Sequence, residues 1–301
     1  MSFFSFGQEP EPTEATTLEP SSAVPAAAAK QLSFDGEEGR TLSVIAEPVS
    51  SAAGVLYKRH AADVTFEIAA TDDMEGENLL AQVVAQTDLI PGRYEGGLKT
   101  WECSIDLIDY LSSLEPGWLR GKRVMELGSG SSLPGIYCLG QGAAVDLQDY
   151  NEEVLHLVTV PNVLINATPI PTDAPHSSGT IEMELDYATL SSLPVRFWAG
   201  DWGCLRDAMR EMPEENKYDV VLTAETIYAA ESHEKLLDLV MTIVKPGGVV
   251  FIAAKSMYFG CSGSLPQFLQ LAQKRLGAAC SIETVWVETR TVRREIVKIT
   301  F

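Results

Sequence analysis

Arg123-Val124-Met125-Glu126-Leu127-Gly128-Ser129-Gly130 runs from an apolar stretch into a glycine turn, and Leu133-Pro134-Gly135-Ile136 opens a helical pattern directly behind it. A short apolar run closed by glycines predicts a buried strand and a tight turn into a helix. Gly128 and Gly130 carry no Cβ, so a ligand can pass close to the backbone there. Asp149 lies 19 residues past Gly130, where a nucleotide-type cradle places an acid for two ribose hydroxyls.

The turn leads with Glu126 and lacks the dinucleotide spacing G-x-G-x-x-G, because Leu133 is the third residue after Gly130. A cofactor without a pyrophosphate needs no dense phosphate cradle. The pattern therefore predicts S-adenosylmethionine rather than a dinucleotide.

At 301 residues and 46% hydrophobic content the chain is long enough for one catalytic domain with extensions. A formal charge of −20 argues against broad binding to a phosphate backbone and suits a basic protein partner or solubility alone. Five cysteines, at 103, 138, 204, 261 and 280, form no C-x-x-C pair, which suits a reducing intracellular compartment. Cytoplasm, and the nucleus as well, are the expected locations, with the chain acting as a monomer. No apolar run of about 18 or more residues and no secretory leader pattern is present, so no membrane association is expected. The four histidines, His60, His156, His176 and His233, show no zinc-ligand spacing, and no metal is expected.

Residues 1–40 are rich in Pro, Glu, Ser, Thr and Ala and predict a disordered acidic tail. Thr41–Ile45 and Asp63–Ile68 alternate as strands do, so residues 41–93 read as a small N-terminal β extension. From 94 to 301 the pattern is that of one domain, with a helix over 101–114, the glycine-turn strand and helix, a strand Ala143–Tyr150 and a helix from Asn151 interrupted at Pro161. A polar stretch over 168–193 reads as a surface loop insertion. Strands Val195–Trp202 and Tyr218–Thr223, helix Ser232–Val244, strand Val249–Ala254, helix Leu265–Leu276 and strands Ile282–Glu288 and Glu295–Phe301 complete it.

Alternating strands and helices predict an α/β fold with a mostly parallel sheet, and the short turn Thr289–Arg293 makes the closing strands antiparallel. Seven strands with the C-terminal one reversed is the Rossmann-like layout of class I methyltransferases.

These residues resemble the histidine protein methyltransferase family, which uses S-adenosylmethionine to methylate a histidine of a large-subunit ribosomal protein. The likeness is carried by Tyr94–Cys103, Glu126–Ile136, Gln148–Asn151 and Thr223–Tyr228, and by Lys255 and Tyr258–Gly260 within Ala254–Gly260. Ser129 and Ser132 depart from the family's usual Cys and Gly.

The resemblance implies a cofactor set of Trp101, Glu102, Glu126, Gly128, Gly130, Asp149, Asn151, Asp201, Trp202 and Thr223. Of these, Trp101 and Glu102 would sit by the methionine end, Asp149 on the ribose, and Asp201 and Trp202 at the adenine. Glu225, Tyr228 and Asp201 are the catalytic candidates, because an acceptor on one imidazole N–H leaves the other nitrogen aimed at the methyl. The tele nitrogen is the implied product site. A lysine methyltransferase on the same fold, which must first deprotonate an ammonium of pKa about 10.4, and a non-catalytic binder of a basic ribosomal protein are the alternatives.

Overall fold

The computed structural model describes residues 26–37, 39–72, 94–170 and 179–301. Its first elements are β1 (Lys30–Leu32), the antiparallel pair β2 (Thr41–Ser51) and β3 (Gly54–Arg59), and helix α1 (Ala61–Asp72). Helix α2 (Glu102–Ser112) leads to β4 (Arg123–Leu127), α3 (Leu133–Gly140) and β5 (Ala144–Asp149). A composite helical segment follows, made of α4 (Glu152–Val154), a π-turn (Leu155–Thr159) and α5 (Val160–Ala167). Then come β6 (Ile181–Asp186), β7 (Val195–Ala199), α6 (Trp202–Met209), β8 (Tyr218–Ala224) and α7 (His233–Ile243). The last elements are β9 (Val244–Lys255), α8 (Leu265–Leu276), β10 (Ser281–Glu288) and β11 (Arg294–Thr300).

The large sheet has the order β1-β7-β5-β4-β8-β9-β11-β10, parallel from β7 through β9, with β11 reversed between β9 and β10. This is the layout expected of a class I methyltransferase, with β1 added antiparallel at the β7 edge. Both faces are covered, so the central strands are largely apolar, with buried Glu126, Asp146, Gln148, Asp149 and Thr223 as the polar exceptions. Val124 of β4 and Val220 and Leu222 of β8 enter one core with α2 and α3, while Met125, Leu127 and Val221 enter the other with α6, α7 and α8. The chain leaves β4 for β5 on one side and reaches β8 on the other, so a crevice opens at the carboxyl ends of these strands.

The composite helix braces the crevice from behind. Pro161 has no N–H to offer the carbonyl of Leu157, and the buried Arg59 guanidinium donates to that carbonyl instead, at 2.9 Å. Thr159 at the end of the π-turn donates its hydroxyl to the carbonyl of Gly130 at 2.6 Å, and Asn162 donates to the carbonyl of Ser131 at 2.9 Å. The helix interruption expected at Pro161 is thus a π-turn placed before it, a device common beside functional sites.

Several local expectations give way. Lys30–Leu32 forms an edge strand, so the disordered tail expected to residue 40 does not extend over residues 26–37; residues 1–25 and 38 lie outside the described residues. Asp63–Ile68 belongs to α1, because Val64 and Ile68 bury one helical face against Val158 while Phe66 is 75% exposed. The stretch 168–193 holds β6, whose Ile181, Met183 and Leu185 face inward and which pairs with β2 in a three-stranded sheet; residues 171–178 of the expected loop and 73–93 of the expected β extension lie outside the described residues. Trp202 starts α6 instead of ending β7, since the Asp201 side chain caps the helix at that point.

Candidate active site at the carboxyl edge of the sheet

Local backbone geometry decides where a ligand can approach. Gly128 and Gly130 have φ of 64° and 46°, conformations that cost an L side chain energy. A Cβ on Gly128 would stand 2.5 Å from the Thr226 methyl, and one on Gly130 would stand 3.0 Å from the Gly97 carbonyl oxygen. The loop therefore lies tightly between the Tyr94–Trp101 segment and the segment after β8. Glu126 sits behind it, accepting from the Gly135 N–H at 2.8 Å, and burial pushes its pKa up to about 8. It is an internal strut of the cradle and does not form part of the cleft wall.

Asp149 ends β5 on the cavity wall. Its carboxylate accepts from the Gly130 N–H at 2.9 Å and the Asn151 N–H at 3.2 Å, and burial raises its pKa to about 6. Each oxygen keeps a further lone pair for a ribose hydroxyl. Asn151 itself turns away, its side-chain oxygen accepting from the Glu95 N–H at 3.2 Å.

At the end of β7, Asp201 accepts from the Gly203 N–H at 2.8 Å and pairs with Lys235 at 2.8 Å. It lines the cavity, yet its described bonds commit it to capping α6, and none of them joins Glu225 or Tyr228. This argues against a direct part in acceptor chemistry. Trp202 lies beside Gly128 and donates its indole N–H to Gln148 at 2.9 Å, while Gln148 also accepts from the Gly128 N–H at 3.2 Å. Gln148, which lies in the Gln148–Asn151 stretch but outside the expected cofactor set, holds the indole and the glycine loop together.

The other end of the cavity is built around Glu225. Its φ is 59°, a strained value for a non-glycine residue, and its N–H is held by the Ala253 carbonyl at 2.9 Å. Its carboxylate is nearly sealed from solvent, with the Cys103 thiol, the Tyr258 hydroxyl and the Lys255 ammonium gathered around it. Lys255 on the neighbouring strand stands 3.3 Å from Glu225 Oε1, 2.9 Å from Glu102 and 5.3 Å over the Trp101 ring. Burial, followed by the nearby Glu225 charge, drives the Cys103 thiol and the Tyr258 hydroxyl far above their usual ranges, so both stay protonated. Tyr228 donates its hydroxyl to Glu95, and burial, reinforced by that carboxylate, keeps its proton in place.

Trp101, Gly128, Gly130, Asp149, Asp201, Trp202, Glu225 and Tyr228 thus line one cavity of about 400 Å³. Glu102, Glu126, Asn151 and Thr223, expected at the cofactor, stand outside its wall. Thr223 ties β8 to β4 by donating to the Leu127 carbonyl at 3.0 Å, and Glu102 acts as a partner of Lys255.

The family model described as lysine methyltransferase matches residues 92–274, which include every strand bordering the cavity. The chain belongs to this family. Among relatives, it is similar to the histidine protein methyltransferase 1 homologue of Dictyostelium discoideum, with 38% identity over 73% of this chain and 62% of that protein. The Bos taurus homologue of the same name is 33% identical over 76% of this chain and 62% of that protein. A protein N-terminal and lysine N-methyltransferase of Yarrowia lipolytica is 26% identical over 62% of this chain and 64% of that protein. The match therefore spans less than two thirds of each relative's length.

The residues of this family member fit S-adenosylmethionine on chemical grounds. The cavity joins an acid poised for ribose, two Cβ-free positions for close backbone approach, and the Trp101 indole near the buried carboxylate. Glu95, Gly97, Thr226 and Lys255 join the expected residues at the site. Glu95 and Gly97 lie in the Tyr94–Cys103 stretch with Trp101, Thr226 in Thr223–Tyr228 with Glu225, and Lys255 in Ala254–Gly260 with Tyr258, so the family-like stretches carry their signal.

Proposed function

We propose that this chain transfers the methyl group of S-adenosylmethionine to the tele nitrogen of a histidine in a basic protein of the large ribosomal subunit. The carrying observation is the buried Glu225 carboxylate at the acceptor end of the cavity wall, held on a strained, strand-anchored residue with the Lys255 ammonium 3.3 Å from its Oε1. An imidazole N–H placed at that end has this carboxylate as its acceptor. Holding one ring nitrogen directs the other outward and also stabilises the imidazolium that forms.

The cofactor supplies an activated methyl on a sulfonium sulfur. This chain's residues have the task of positioning, since an imidazole with a pKa near about 6.5 is already largely neutral at cytosolic pH. Trp101 and Tyr228 line the same cavity as Glu225. In-line attack requires a near-attack placement of roughly 3–3.5 Å, and a fixed carboxylate on a strained, strand-anchored residue supports such precision.

Lys255 favours histidine over lysine as the acceptor. A substrate ammonium reaching Glu225 would meet the Lys255 ammonium, which stands 3.3 Å from the same carboxylate. Like charges at such range repel, so an ammonium is disfavoured on arrival, whereas an imidazole arrives neutral and becomes cationic only as the methyl is transferred, beside the Glu225 carboxylate. The similarity to the histidine protein methyltransferase 1 homologues of Dictyostelium discoideum and Bos taurus supports the same choice.

The basic ribosomal substrate suits the formal charge of −20. Action as a monomer, in the cytosol and the nucleus, completes the reading. The test is incubation with labelled cofactor and ribosomal proteins from cells lacking the enzyme, followed by mass spectrometry. Tele-methylhistidine in a large-subunit protein is the expected product. Methyl-lysine would overturn the acceptor assignment, and absence of label with intact cofactor binding would overturn the substrate.

A further inference from the structure

The segment before β2 reaches the cofactor cleft. Ala26 lies on the cavity wall, and the Ala27 carbonyl accepts from the Asp201 N–H at 2.9 Å. The backbone of Ala27 also meets the Tyr150 hydroxyl, another residue of the wall. Gly200 has φ of 117°, and a Cβ there would stand 2.4 Å from the Ala28 carbonyl oxygen. Only a glycine lets the N-terminal backbone lie this close to the end of β7.

The two ends of this segment are held differently. Leu32 is buried, and Phe34 packs its ring 5.4 Å from Phe197 and 6.0 Å from Tyr187, which pins that end to the core. Between them and the cleft run three residue pairs, Lys30↔Ala199, Gln31↔Trp198 and Leu32↔Phe197, and an exposed Lys30–Glu152 ion pair at 2.6 Å. Exposed ion pairs contribute about 0–1 kcal/mol. A short, solvent-exposed edge strand belongs to the low-stability end of local opening.

We propose that Ala26–Leu32 is a strap that completes the adenosine end of the cofactor site: anchored at Leu32, it peels from Asp201 to admit S-adenosylmethionine and release S-adenosylhomocysteine. Ala27 acts as a positioning residue, holding the Asp201 backbone and the Tyr150 hydroxyl where the wall needs them. The proposal rests on the cofactor reading above but is independent of the acceptor's identity.

Hydrogen exchange of the full chain, with and without S-adenosylhomocysteine, tests it without any substitution. Slower exchange at the amides of residues 27–32 in the bound protein is expected, and unchanged exchange there would overturn the strap. Calorimetry on truncations provides the second measurement. Removing residues 1–25 should leave affinity for S-adenosylhomocysteine at the full-chain value, while removing residues 1–32 should weaken it about tenfold or more and speed dissociation. In turnover the longer truncation should raise KM for the cofactor more than it lowers kcat. Equal affinities for the two truncations would overturn the strap alone, whereas no binding by the full chain would remove the cofactor reading beneath it.

Discussion

Lys255 Nζ stands 3.3 Å from Glu225 Oε1, across adjacent parallel strands whose ends are paired at Ala224 and Ala253. The pair sets the charge of the acceptor end, because Glu225 is buried and Lys255 is the cation beside it. Replacing the lysine leaves a buried carboxylate uncompensated. Lys255→Met should lower stability by about 1–3 kcal/mol, read from urea unfolding, and adding Glu225→Gln should recover part of the loss. An unchanged midpoint in the single variant would contradict the charge pairing.

Asp149 is the one acid at the end of β5 that faces the cavity. Asp149→Ala should weaken S-adenosylhomocysteine binding by about 1–3 kcal/mol, the cost of leaving ribose hydroxyls unpaired. Titration calorimetry reads this directly, and a wild-type affinity would remove Asp149 from the cofactor site.

Gly128 and Gly121 separate conformational strain from collision. Both have positive φ, 64° and 72°, but a Cβ on Gly121 meets nothing within 4 Å while one on Gly128 meets Thr226 at 2.5 Å. Each Ala variant should lose about 1–2 kcal/mol of stability from the left-handed backbone. Cofactor affinity should fall only in Gly128→Ala. Equal affinities in the two variants would contradict the close approach at the loop.

Burial raises Glu126 to about 8, which ties stability to pH. Its folded-state pKa lies above its unfolded value of about 4.3, so the folded state holds the proton more tightly through that interval. The stabilisation is complete below the unfolded pKa and is lost as pH rises through about 8. Glu126→Gln carries no such ionisation. Its melting temperature relative to wild type should therefore climb between pH 5 and pH 8, and a constant difference across that range would contradict the assignment.

Local chemistry made the cradle legible. Gly128, Gly130 and Asp149 announce themselves by spacing along one strand, turn and helix, and Leu265–Leu276 was readable from its periodicity. Asp63–Ile68 was ambiguous, because Val64, Phe66 and Ile68 satisfy a period of two while Val64 and Ile68 also satisfy i, i+4; only the exposure of Phe66 decides. The alternation of Ile181, Met183 and Leu185 was present in the sequence but overshadowed by its polar surroundings.

Long-range register hid the rest. Nothing near Lys30 in sequence signals a strand, since its partner Ala199 lies on another element. Lys255 could be placed beside Glu225 only once β8 and β9 were known to be adjacent. Glu126 looks like a cofactor ligand in the linear motif, yet the Gly135 N–H takes its side chain at 2.8 Å.

In the proposed reaction Glu225 orients a neutral imidazole. Single-turnover methyl transfer to the proposed histidine acceptor by Glu225→Gln, measured alongside S-adenosylhomocysteine affinity, reads this role. Transfer slowed by about 10²-fold or more, within the range for loss of an electrostatic stabiliser, with affinity unchanged, is the predicted result. A wild-type single-turnover rate would contradict it.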